Sequence, residues 1–77
     1  MKLLVKIKAH EAVQDVFRDS DGWWVWLYTD WVNPELECSQ IHEQTLTGCL
    51  SVLRGVKRRD QWMQEQSARL TPTPLNP

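Results

Sequence analysis

The sequence predicts a small α+β domain: an antiparallel sheet of two or three strands within residues 2 to 32, packed on one face by an amphipathic helix from about 40 to 54, with a short second helix towards the C-terminus. Three observations predict it. Apolar and polar residues alternate near the start of the chain, a turn signal at Asp19-Ser20-Asp21-Gly22 leads into an aromatic and β-branched run, and a helical apolar stripe follows after residue 40.

The first segment places Leu3, Val5, Ile7 and Ala9 on one side and Lys2, Leu4, Lys6 and Lys8 on the other, which is the period of a half-exposed strand. Residues 12 to 18 fit a second strand through Val13 and Phe17. Asp19 to Gly22 reads as a hairpin turn with glycine in the left-handed region. The strand it returns into, Trp23 to Val32, consists of residues that pack well on a pleated surface. Asn33-Pro34 ends it, because proline has no N–H for the ladder and restricts the residue before it.

Ser39 is placed to cap a helix. At about 100° per residue, Ile41, Thr45, Leu46, Cys49, Leu50, Val52, Leu53 and Val56 fall on one half-cylinder, the pattern of a helix laid on a sheet. Gly55 predicts a stop or bend, since glycine costs up to about 1 kcal/mol inside a helix and is favoured just beyond one. A second helix then runs to about residue 68, and the proline-rich residues 71–77 read as a flexible tail after a single domain over 1–70.

Seventy-seven residues with 42% hydrophobic and 25% charged side chains describe one ordinary globular unit and exclude two independent cores. Net charge is −1, so no global field favours a polyanion or an acidic membrane. The signs are segregated: residues 1–38 carry four basic and seven acidic side chains, residues 39–77 five basic and three acidic. No apolar run approaches the roughly 20 residues of a membrane span. The apolar start is interrupted at Lys6 and Lys8, unlike a secretory signal, so the expectation is a cytoplasmic protein with Cys38 and Cys49 as free thiols.

Five tryptophans are the unusual count. In the run Trp23 to Val32 both faces are apolar, and one helix covers only one of them. The other is left with aromatic side chains about 6.8 Å apart along the strand. Contiguous exposed aromatics mark interfaces. The expected partner-binding residues are therefore Trp24, Trp26, Tyr28, Asp30 and Trp31, and the expected partner is a larger protein or protein complex. A homodimer whose aromatic faces meet is the alternative occupant, and internal cover by the rest of the chain is the bland one. By analogy of size alone, such a binder suits the small inhibitors that phages and mobile elements direct at host defences, anti-CRISPR proteins among them.

Nucleic acid ranks lower. Lys57, Arg58 and Arg59 could contact phosphate or an acidic partner, but Asp19, Asp21, Asp30, Glu35 and Glu37 flank the aromatic run, and basic residues at a helix C-terminus stabilise its dipole without any ligand. Cys38, His42 and Cys49 do not form a zinc set, because on a helix Cys49 would lie about 10 Å beyond His42. Asp19, Asp21 and Asp30 do not follow calcium-loop spacing. No nucleophile elbow or phosphate-cradling glycine loop is present, so no catalytic residue, metal or cofactor is expected.

Overall fold

The computed structural model describes residues 2–70. It is an α+β fold with three helices and two small antiparallel sheets. The elements are α1 (Lys2–Lys8), β1 (Val13–Asp19), β2 (Gly22–Leu27), β3 (Trp31–Val32), β4 (Gln40–Glu43), α2 (Leu46–Leu53), β5 (Lys57–Arg58) and α3 (Arg59–Leu70). The larger sheet has strand order β1-β2-β4 and the smaller pairs β3 with β5. The proline-rich tail expected over 71–77 lies outside the described residues.

The hairpin forms as the turn letters require. Asp19 pairs with Gly22, leaving Ser20 and Asp21 as a two-residue loop, and the Asp19 carboxylate accepts the Asp21 N–H at 2.8 Å. Gly22 has φ 130°, a region open only to glycine at low strain. A Cβ there would also lie 2.8 Å from the Glu43 carbonyl oxygen, so β4 approaches this closely only because the side chain is missing.

Four expectations are corrected. Residues 2 to 8 form a helix instead of a strand. The same letters satisfy both periods, but Leu3, Leu4 and Ile7 stand at helical spacing, and they are the residues that meet the core, whereas Val5 stays 65% exposed. The aromatic strand does not continue to Val32. The Trp31 N–H reaches back to the Tyr28 carbonyl, and the resulting turn sends β3 into the other sheet, where Trp31 and Val32 pair with Arg58 and Lys57. Residues 40 to 43 are a strand, so the main helix begins only at Leu46. Its cap is Thr45, whose hydroxyl accepts the Gly48 N–H at 3.0 Å, while the Ser39 hydroxyl donates instead to the Trp31 carbonyl at 2.7 Å. Finally, Lys57, Arg58 and Arg59 occupy β5 and the start of α3, not a helix C-terminus. The expected break at Gly55 is present: α2 ends at Leu53, and the chain turns through Arg54 and Gly55 before β5.

The core explains the layering. Ile7 from α1, Val13 and Val16 from β1, Val25 and Leu27 from β2, Ile41 from β4, and Leu46, Cys49 and Leu53 from α2 are all buried together with Ala12. Both short helices therefore sit on the same face of the three-stranded sheet, and they pack on one another as well as on the strands. Burial of each large aliphatic side chain there contributes about 1.5–3 kcal/mol. The loop from β3 to β4 is organised by Asn33, the single buried polar side chain among the described residues. Its Nδ2 donates to the Gln40 carbonyl at 2.9 Å and its Oδ1 accepts the Glu35 N–H at 3.1 Å, so the amide is satisfied at both ends.

Candidate protein-docking face

Antiparallel register decides which side chains share the uncovered face. Phe17 stands opposite Trp24, and Trp24 opposite His42; one step along, Asp15 stands opposite Trp26, and Trp26 opposite Gln40. Their neighbours Val16, Val25 and Ile41 point to the core, so these two rungs point away from it. Trp26 is 44% exposed and Tyr28 47% exposed, with Phe17 at 36% beside them.

The upper rung is a stacked row across three strands. The Trp24 and His42 rings lie 4.0 Å apart and 12° from parallel, and Phe17 stacks beyond Trp24 at 6.5 Å. Phe17 also meets Trp26 edge-on at 5.7 Å and 71°. The middle of the row and its His42 end are held by hydrogen bonds. Trp24 Nε1 donates to the Asp19 carboxylate at 2.8 Å, and His42 Nε2 lies 3.1 Å from the Asp21 carbonyl oxygen, which also accepts from Gln44 Nε2. Stacking and hydrogen bonds thus fix the Trp24 and His42 rings in place, so these side chains lose little rotamer freedom when covered.

The sequence-derived site residues divide. Trp24, Trp26 and Tyr28 follow one another along this face, but Asp30 and Trp31 belong to a different cluster. Asp30 lies in the turn after β2 and accepts from Arg58 Nη1 at 2.6 Å. Trp31 is half-buried against the core, with the Arg58 guanidinium 4.6 Å above its ring and His10 at its edge. Register, absent from a single-strand reading, adds Phe17, His42, Asp15 and Asp19. Counting back from the Asp19–Gly22 pair would have placed Phe17 against Trp24.

The basic cluster is engaged internally. Lys57 donates to Glu65 of α3, and this bond holds the Glu65 carboxyl below its ordinary range. Arg58 pairs with Asp30 and lies 3.8 Å from Glu11. Arg59 donates to the Thr29 carbonyl at 2.6 Å and to the Ser39 hydroxyl at 2.9 Å. These residues tie α3 and β5 to the loops. A phosphate would have to compete with carboxylates already in place.

Among the described residues no three His, Cys, Asp or Glu side chains are grouped to hold a metal ion. His42, on β4, is not on the helix that carries Cys49. Cys49 is fully buried; burial first, and the Glu43 charge second, push its thiol up. Among the described residues no helix is long and apolar enough to cross a membrane. Comparison with protein-family models, with curated proteins and with solved structures found no match.

Proposed function

We propose that the chain is a non-enzymatic binding module that docks on a larger protein through the outer face of the β1-β2-β4 sheet, with Trp24, Trp26, Phe17 and Tyr28 as anchors. One observation carries this reading: α1 and α2 lie on the same side of the sheet, and the aromatic side is left to solvent. A half-exposed Trp or Tyr keeps roughly 100 Å² in water, and covering that area contributes about 2 kcal/mol per side chain. Two or three such anchors in a preorganised row supply the centre of a standard interface. A chain of this size acts on its partner by occupying surface, so inhibition of that partner is the simplest consequence.

Trp26→Ala tests the reading, with Met63→Ala as the control because Met63 is 55% exposed but lies on α3. In capture from an extract of the source cell or its host, followed by mass spectrometry, the expected outcome is a partner retained by the wild type and by Met63→Ala and lost with Trp26→Ala. A partner retained equally by all three would place docking elsewhere and defeat the proposal.

A further inference from the structure

The sheet face that binds is not only aromatic. Asp15 and Asp19 lie on it, on the same strand as Phe17 and in the rungs of Trp26 and Gly22. Asp21 stands exposed in the adjoining loop. Among the described residues, the three ion pairs are Lys57–Glu65, Arg58–Glu11 and Arg58–Asp30, so none reaches this face. The nearest cation in sequence, Arg18, points the other way and lies 5.7 Å from the centre of the Trp23 ring. The platform therefore sets the exposed Trp26 indole beside carboxylates that form no ion pair among the described residues.

The molecule contains a filled version of the same arrangement. On its other sheet, Arg58 lies over the Trp31 ring and ends on the Asp30 carboxylate. There a guanidinium satisfies the ring quadrupole and the carboxylate together. On the outer face the ring and the carboxylate are present and the guanidinium is not.

We infer that the occupant of this face is an extended, arginine-bearing segment of a partner protein, with one guanidinium lying on the exposed Trp26 indole and ending at Asp15 and a second ending at Asp19. This rests on the docking reading above and specifies its partner. Asp15 and Asp19 are four residues apart on one strand, about 13.6 Å, which an extended segment matches with cations four positions apart. A second copy of this chain placed face to face would bring further carboxylates and no Lys or Arg to this face, and a phosphate backbone would be repelled by the carboxylates already there. Both are disfavoured by charge where an arginine segment is favoured.

The test titrates the full chain by tryptophan fluorescence, at low and at physiological salt, with a short serine–threonine peptide carrying two arginines four positions apart. The comparison peptide has glutamate in place of both arginines. The expected result is saturable binding of the arginine peptide, at least tenfold weaker binding of the glutamate peptide, and a further loss of at least threefold with Asp15→Asn and at least tenfold with Trp26→Ala. Asp15→Asn keeps an oxygen for the Val16 N–H that Asp15 now accepts at 2.9 Å, and circular dichroism verifies its fold. Equal affinity for the two peptides, no saturation by the arginine peptide, a dimer in sedimentation at micromolar concentration, or tighter binding of a single-stranded oligothymidine would each overturn the inference. If the arginine peptide fails while Trp26→Ala still abolishes partner capture, the docking face stands and its cationic occupant falls.

Discussion

Truncating Ile7 and Val5 separately tests the layering on which the open face depends. If α1 is a helix packed on the sheet, Ile7 is fully buried and Val5 is 65% exposed, although both would share one side of a strand. Ile7→Ala removes a buried side chain and leaves a cavity, at a cost of about 2–5 kcal/mol, reduced by a few tenths because alanine favours helix more than isoleucine does. A chain of this length has a total stability of about 4–11 kcal/mol, so this one change removes a large part of it. With a urea dependence of about 1 kcal/mol per molar for a small protein, the midpoint falls by about 2 M or more. Val5→Ala removes little buried surface and gains helix propensity, so it shifts stability by no more than about 0.5 kcal/mol in either direction. Urea unfolding followed by tryptophan fluorescence reads both variants against the wild type. A loss above about 1.5 kcal/mol for Val5→Ala, or below about 1 kcal/mol for Ile7→Ala, would refute a helical α1 and with it the claim that two helices share the inner face.

Two further outcomes follow from the side-chain chemistry. Native protein should react with Ellman's reagent at one fast thiol, Cys38, because Cys49 is fully buried and its thiol is pushed up. The second thiol should appear only in denaturant, and Cys38→Ser should leave the native chain unreactive; two fast thiols would contradict the packing of α2. The Lys57 hydrogen bond holds the Glu65 carboxyl below its ordinary range, so its contribution to stability is present above the ordinary carboxylate range and is lost as pH falls through the depressed native value. Glu65→Gln should therefore be less stable than wild type at neutral pH and indistinguishable from it in strong acid, as read by urea midpoints. A difference that persists unchanged in acid would assign α3 docking to something other than this pair.

The hairpin and the aromatic run were legible because each depends on local chemistry: a turn that needs Asp, Ser and Gly, and a pleated surface that suits Trp, Val and Tyr. Two of the four corrected expectations share one cause. In Lys2–Lys8 and in Gln40–Glu43 the segment is too short for its period to be decided, since Leu3, Val5 and Ile7 fit an alternation while Leu3, Leu4 and Ile7 fit a helical stripe. Tertiary contact arbitrates. Ile41 fills the core from a strand as readily as from a helix, and pairing of Gln40 to Glu43 with β2 satisfies backbone groups that would otherwise sit unpaired at the sheet edge.

The same limit explains why half of the candidate face could be read and half could not. Alternation along one strand groups Trp24, Trp26 and Tyr28, but whether Asp30 and Trp31 continue the row depends on a turn at Tyr28 to Trp31 that no single letter announces. Phe17, His42, Asp15 and Asp19 join only through cross-strand register. Asp19 shows how closely the two levels are tied. One oxygen accepts from the turn backbone and the other from the Trp24 indole, so the residue that closes the hairpin also orients the central anchor of the platform. The carboxylate charge that the turn recruits is thereby delivered to the open face, where it sets the sign of the partner that can lie there.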